Sequence, residues 1–363
     1  MSKILIIAMN LNSGGAERQT VAIAKALKSQ GHQVTVACFY HGDFYLPELQ
    51  KSNIQVLWKV EKSYVRRILS FRKLIRSGGY HAVISLLVTP NIINLLSAIG
   101  GKTWKVIIGE RSAKAEFFKS TKAKVIKMLL GYADALVCNS NNAVEIWKGY
   151  APKYSSIIKC IYNLLPEYIP SKPYCPKQNG KLSIVVAASY QPLKNMKRLI
   201  LAVSKLPEGD RLKLSLDWYG QINVAGYGSQ PYDESLDLIK KHNLGSVISL
   251  NPPTRDIYDI MNKADAVALV SEVEGLPNVI CEALMLGKPI IMSNVSDYNV
   301  LVGNGNGYVC EYDSVDSIAH AIKSLLHLNT EELLQMGVNS RKLYTNLLCS
   351  DVIVNSWNKL ILT

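Results

Sequence analysis

Short apolar runs rich in β-branched residues recur along this chain with helical stretches between them, in two separate series. The first comprises "KILIIAM", "QVTVACF", "HAVISLL", "KVIIGE" and "ADALVCN"; the second comprises "LSIVVAAS", "KLSLDWYG", "SVISLN", "ADAVALV" and "KPIIMS". A strand that is apolar on both faces belongs in a parallel sheet covered by helices on both sides. Stretches such as "AERQTVAIAKALKSQG" supply those helices. Between the series lies "PEYIPSKPYCPKQNGK", residues 166–181, with four prolines and no periodicity, which reads as a linker. A chain of 363 residues is also too long for one ordinary core. The expected fold class is therefore α/β, with two doubly wound, parallel-sheet Rossmann-like domains. Boundaries are expected at 1–167, a linker at 168–180, and a second domain at 181–340. Ligands of such sheets bind beyond the carboxyl ends of the strands, so the active site is expected in a cleft between the domains.

Composition narrows the class. With 48% hydrophobic and 19% charged residues and no low-complexity tract, a folded protein is expected throughout. The start "MSKILIIAMNLNSGG" is unlike a signal peptide, and no apolar run reaches the ~18 residues of a spanning helix. Seven scattered cysteines without CxxC spacing suggest reduced thiols, Cys38, Cys138 and Cys281 among them buried, in a cytoplasmic protein without a zinc site. The net charge of +13 is uneven: residues 1–170 hold 23 Lys/Arg against 9 Asp/Glu, and the remainder holds 18 against 19. An anionic partner of the first half is implied, whether membrane surface, nucleic acid or phosphorylated substrate.

Two loops carry candidate chemistry. In "NSGGAERQ", Gly14 and Gly15 follow the first strand as a tight turn and candidate donor contact, and Ala16 and Glu17 open a helix whose amides favour an anion; an ordinary turn is the plainer alternative. The dinucleotide fingerprint GxGxxG is absent, which disfavours a simple NAD enzyme. In "SEVEGLPNVICEAL", residues 271–284, Gly275, Leu276, Pro277 and Asn278 lead from a buried strand into a helix start. Glu274 and Glu282 flank that loop, and carboxylates accept hydrogen bonds in pairs, which suits vicinal hydroxyls.

This segment resembles the Glu-x7-Glu signature of the retaining nucleotide-sugar glycosyltransferases of family 4. Ser271, Glu274, Gly275, Pro277, Glu282, Ala283, Gly287 and Pro289 stand in its frame, and "GGAER", "GHQVTV", "IYNLLP", "LKNMKRLILA" and "NGNGYV" extend the resemblance over nearly the whole chain. The resemblance implies the GT-B fold, an acceptor-binding first domain, a donor-binding second domain, and a last segment, 341–363, crossing back to the first. It gives Glu282 the donor ribose, Glu274 the donor sugar, and Lys194 the diphosphate, whose leaving charge a cation stabilises. No Asp-x-Asp pair occurs, so neither metal nor cofactor is expected, the nucleotide sugar being a substrate. Where many relatives carry an arginine this chain has Ser189, so diphosphate binding rests on Lys194 and backbone amides, or Arg198 compensates. A histidine common in the family is replaced by Thr89 and Asn91, so no catalytic base is assigned. With Glu110 and Arg111 in "GERSAK", these residues are candidate acceptor contacts, and Arg111 suits an acceptor phosphate.

The expected activity is transfer of a hexosyl or N-acetylhexosaminyl group from a UDP-sugar to a lipid-linked or polysaccharide acceptor. A non-catalytic sugar-nucleotide-binding partner subunit and a GT-B epimerase are the alternatives. In "SYVRRILSFRKLIR", Tyr64, Ile68, Phe71 and Ile75 recur at helical spacing among Arg66, Arg67, Arg72, Lys73 and Arg76, and "AEFFKSTKAKVIKMLL" repeats the combination. Peripheral contact with an anionic membrane is expected from both, and nucleic acid is not an expected partner.

Overall fold

The computed structural model describes the chain apart from residues 112–114, 167, 169–175, 178 and 179. It forms two compact units, one of Met1–Pro166 with Ser350–Thr363 and one of Glu167–Cys349. The first unit holds strands β1 (Lys3–Ala8), β2 (Gln33–Cys38), β3 (Gln55–Trp58), β4 (Ala82–Ser85), β5 (Lys105–Glu110), β6 (Ala135–Cys138) and β7 (Ile158–Cys160). All pairings are parallel, in the order β3-β2-β1-β4-β5-β6-β7. The second holds β8 (Leu182–Ala187), β9 (Leu214–Tyr219), β10 (Ile248–Asn251), β11 (Ala266–Leu269), β12 (Ile290–Ser293) and β13 (Gly307–Cys310). These are also parallel, in the order β10-β9-β8-β11-β12-β13. The two-domain α/β architecture is thus the one expected.

Every residue of β4, β6, β11 and β12 is buried, which is why these strands read as unbroken apolar runs. The sequence reading lacked β3, β7 and β13. All three lie at sheet edges with one or no residue fully buried, so their apolar signal is weak. In unit 2 the turn after β8 is anchored from below. The Trp218 indole donates to the Ala188 carbonyl at 2.7 Å, and the Tyr190 hydroxyl donates to the Asn251 carbonyl at 2.9 Å. A side chain at Gly220 would run into the Ala188 carbonyl, so the ends of β8 and β9 approach backbone to backbone.

The proline-rich stretch 166–181 lies largely outside the described residues. The crossing segment begins later than expected. The helix Thr330–Leu347 stays in unit 2, and the return to unit 1 is the helix Ser350–Leu362. The reason is close packing: Gly337 faces Gly287, where an added Cβ would meet the Gly287 carbonyl oxygen at 2.5 Å. The returning helix packs on the helix Gly15–Ser29, and His32 links them. Its Nδ1 accepts from the Ser2 amide at 3.2 Å, which leaves Nε2–H to donate to Asn358 Oδ1 at 3.0 Å. Cys38, Cys138 and Cys281 are buried, and burial raises the Cys38 thiol to about 12 and the other two further.

The helix Tyr64–Ser77 corrects an expectation. Phe71 and Ile75 pack inward, and so does Arg67, whose guanidinium lies 4.6 Å from the Phe39 ring and 4.7 Å from the Tyr40 ring. It also donates to Tyr40 Oη at 3.2 Å and the Glu61 carbonyl at 3.1 Å. Arg72 reaches the carbonyls of Leu96, Ser97 and Ile99 at 2.9, 3.0 and 2.7 Å, and Arg76 reaches that of Gly101 at 2.9 Å. These forks close the carboxyl end of the helix Val88–Ala98, where orphan carbonyls and the helix dipole favour a cation. Arg66 and Lys73, both exposed, make no such contacts among the described residues, and Val65 and Leu69 are exposed beside them. On the helix Thr121–Leu129, Ala123 and Ile126 are buried while Lys122, Lys124, Lys127 and Met128 are exposed.

Candidate active site

In unit 2 the strand order reverses between β8 and β11, so the loops after these strands open side by side at the carboxyl edge of the sheet. After β8 the chain passes Ser189, half-buried, and makes a 3-10 turn at Pro192–Lys194. Asn195 follows in the left-handed region, φ 67°, and starts the helix Met196–Lys205. Asparagine tolerates that conformation because its short side chain bonds locally. Its buried amide donates to the carbonyls of Val270 at 2.9 Å and Tyr312 at 2.6 Å. The Glu272 amide in turn donates to the Leu193 carbonyl at 2.8 Å. Two loops 80 residues apart are thereby stitched together, and Lys194 Nζ meets Glu274 Oε1 at 2.6 Å. Both side chains are largely shielded, at 20% and 12% exposure, so water screens the pair less than at a surface.

Glu282 lies on the second turn of the helix Asn278–Met285, is 9% exposed, and accepts from the Tyr258 hydroxyl at 3.0 Å. The Tyr168 ring lies 5.4 Å from that of Tyr258, and its hydroxyl bonds Asp259 Oδ1 at 2.5 Å. Leu276 and Pro277 are buried, the Gly275 carbonyl accepts from the Ser296 hydroxyl, and Asn278 opens the helix. Pro277 stands just before the first helical residue rather than in the first turn. The structure thus brings Ser189, Lys194, Glu274, Gly275 and Glu282 to the loops and helix start of one sheet. Tyr258, Glu272 and Asn195 belong to the same constellation and carry no sequence signature. Their partners are 24, 74 and 75 residues away in the chain, and only the asparagine after Lys194 at a helix start hinted at a special backbone position.

The other candidates belong to unit 1. Gly14 is extended and precedes the helix Gly15–Ser29; a side chain there would collide with the Glu17 carboxylate, which already lies over this helix start. Gln19, the last residue of "NSGGAERQ", pairs through both amide ends with Leu164 of "IYNLLP", at 2.8 and 2.9 Å, so these two stretches serve in part to lock this unit. Thr89 is half-buried in the first turn of the helix Val88–Ala98. Asn91 is buried, accepting from the Ser85 hydroxyl at 2.8 Å and donating to the Gly109 carbonyl at 2.9 Å, so it clamps β4 to β5 instead of facing an acceptor. Glu110, also buried, accepts from the Arg111 amide at 2.8 Å. Arg111 Nη1 donates to Asn163 Oδ1 at 3.0 Å, while its buried Nε and Nη2 have no hydrogen-bond partner among the described residues. Burial lowers this guanidinium to about 10, against the pull of Cys138, Glu110 and Cys160, and it remains protonated near neutrality. Among the described residues no group of three or more His, Cys, Asp or Glu is placed to hold a metal.

Comparison with known proteins decides the family. Residues 13–165 match the family described as Glycosyltransferase Family 4, and residues 173–343 match Glycosyl transferases group 1. An Escherichia coli protein named UDP-Gal:alpha-D-GlcNAc-diphosphoundecaprenol alpha-1,3-galactosyltransferase is 32% identical, over 87% of this chain and 80% of its own. The chain belongs to the family 4 glycosyltransferases. A Campylobacter jejuni relative, named as an alpha-1,4-N-acetyl-D-galactosaminyltransferase acting on a GalNAc-containing diNAcBac-PP-undecaprenol, is 28% identical over 99% of this chain and 98% of its own. The crystal structure of Anabaena HepE in complex with UDP superposes with a TM-score of 0.84 at 18% identity, over 98% of each chain. That of the lipopolysaccharide outer core galactosyltransferase WaaB gives 0.77 at 14% identity, over 99% of each. The fold of this glycosyltransferase is GT-B.

Proposed function

We propose that this glycosyltransferase transfers a hexosyl or N-acetylhexosaminyl group from a UDP-sugar to a lipid-linked acceptor, with retention of configuration and without a metal ion. The observation that carries the reading is the Lys194–Glu274 pair at the strand-order reversal of unit 2, with Glu282 fixed nearby by Tyr258. Glu282 takes the ribose hydroxyls, held in place by the Tyr258 hydroxyl. Lys194 meets the diphosphate and stabilises the charge that grows on it as the glycosidic bond breaks. When the sugar enters, Glu274 exchanges the ammonium for sugar hydroxyls, which leaves Lys194 to the phosphates. The acceptor hydroxyl attacks on the face from which the diphosphate departs, and a diphosphate oxygen takes its proton. Catalysis then rests on positioning and on stabilising the leaving group, with no side chain required as base.

Unit 1 takes the acceptor, and the positive charge of the half-buried Arg111, whose Nη1 is held by Asn163, favours an acceptor phosphate. Relatives named as acting on diphosphoundecaprenol-linked sugars support a lipid-borne acceptor. Among the described residues no helix is long and apolar enough to cross a membrane. Contact with the inner face of an anionic bilayer is through the exposed Val65 and Leu69 with Arg66 and Lys73, and Met128 with Lys122, Lys124 and Lys127. Thermal shift with a panel of UDP-, GDP- and ADP-sugars tests the donor assignment, because a ligand selective for the folded state raises Tm. A rise with UDP-sugars alone is expected; a rise only with another base would overturn the UDP assignment.

A further inference from the structure

We propose that Arg198 and Glu272 are positioning residues, whose ion pair holds the Lys194 turn at the height where its ammonium meets the donor diphosphate. The inference rests on the donor reading above. Arg198 lies one helical turn beyond Lys194, and its Nη1 bridges Glu272 Oε1 at 2.5 Å and Asn195 Oδ1 at 2.9 Å. With the amide oxygen on the guanidinium, the amide nitrogen of Asn195 is turned toward the carbonyls of Val270 and Tyr312. Arg198 therefore fixes the orientation of the residue that follows Lys194 in the chain. Glu272 closes the frame from the other loop. Its main chain holds the Leu193 carbonyl, its side chain holds Arg198, and Glu274 stands two residues further on. Lys194 is bracketed on both sides in sequence by atoms that this pair controls.

Two observations separate positioning from other roles. The pair is 35% and 38% exposed, and an ion pair at that exposure adds little to folding stability. A cavity of about 670 Å³ is lined by Arg198, Glu272, Asn195 and Pro192, but not by Lys194, Glu274 or Glu282. The pair thus faces a different space from the residues read as donor contacts. The competing role is direct: Arg198 replacing the arginine absent at Ser189 and touching the diphosphate itself. The two roles differ in sign. Released from Glu272, an Arg198 that binds phosphate directly is freer to do so, whereas a strut without its anchor lets Lys194 drift.

The test is calorimetric titration of UDP into the full chain, with Tm measured in parallel. Glu272→Ala is expected to weaken UDP binding about tenfold, the loss of roughly one charge-assisted hydrogen bond, while Tm moves by less than about 2 °C. Glu272→Gln, which keeps an acceptor oxygen for Arg198, is expected to retain most of the affinity. Lys194→Ala should cost less in the Glu272→Ala background than alone, a non-additivity that a merely structural pair does not produce. Unchanged or tighter UDP binding by Glu272→Ala, or strictly additive losses, would overturn the inference alone. Absence of UDP binding by the wild type would overturn the donor reading and the inference with it.

Discussion

Lys194 Nζ stands 2.6 Å from Glu274 Oε1, a contact made across 80 residues by two loops that meet where the strand order of unit 2 reverses. In the proposed reaction both partners work on the donor, so each should matter more to turnover than to folding. Lys194→Ala and Glu274→Ala are each expected to lower kcat/KM by about 10- to 150-fold, equivalent to 1.5–3 kcal/mol for a charge-assisted hydrogen bond. Tm should change little for Lys194→Ala, and steady-state rates with donor varied check both. A matched loss of Tm with an unaltered rate would make Lys194 a structural residue.

Glu282 and Tyr258 give a graded expectation. Glu282→Ala removes the carboxylate that the proposed reaction assigns to ribose and should weaken UDP binding by about 10-fold or more, whereas Tyr258→Phe removes only the hydroxyl that orients it. The latter should cost about 0.5–1.5 kcal/mol, a loss of roughly 2- to 12-fold. Calorimetry on both variants checks the order; equal or greater loss in Tyr258→Phe contradicts it.

Much of this was legible from residues alone, and the parts that were not share a physical cause. Buried strands such as β11 and the loop–helix segment after it announce themselves through local order: apolar runs, then glycine and proline, then helical periodicity. The edge strands β3, β7 and β13 bury too little to do so. Arg67 and Arg72 misled for a related reason. A guanidinium reads as a surface charge, yet Arg67 is sandwiched by Phe39 and Tyr40, and Arg72 caps a neighbouring helix, partners that no spacing rule reveals. Asn91 likewise read as a candidate acceptor contact and is a buried clamp between β4 and β5. The roles of Tyr258 and Glu272 exist only through contacts distant in the chain.

Those inward arginines alter what mutagenesis of the basic helix should show. Arg67→Gln removes a desolvated cation–π contact and two hydrogen bonds, and should destabilise by about 2 kcal/mol or more. Arg66→Gln with Lys73→Gln should leave Tm within about 1–2 °C, since changes at exposed positions are usually within ±0.5 kcal/mol. Co-sedimentation with anionic vesicles should fall in that double variant, by roughly 1 kcal/mol for each charge, and fall in the wild type as salt rises. Equal sedimentation of wild type and double variant would remove this helix from the membrane contact.

Lys288 is fully buried, donating to the carbonyls of Asn262 and, at 3.0 Å, Ala264. Burial lowers its amine to about 7 from the ordinary 10.5, with Asp265 opposing the shift. Between those values the unfolded chain binds more protons at this group than the folded one, so its contribution to stability rises with pH across that window and is flat below it. The Tm of the wild type relative to Lys288→Met should therefore climb from about pH 7 to pH 9. A pH-independent difference would show that this amine does not titrate on folding.

The most direct measurement is product analysis after incubating the protein with a UDP-hexose or UDP-N-acetylhexosamine and a short polyprenyl-diphosphate-linked sugar. The account predicts UDP released only when the acceptor is present, and an anomeric coupling constant in the product that matches the configuration of the donor. It predicts that Glu274→Ala and Lys194→Ala each abolish most of that transfer. Inverted configuration, or UDP release that neither the acceptor nor these two substitutions affect, would contradict it.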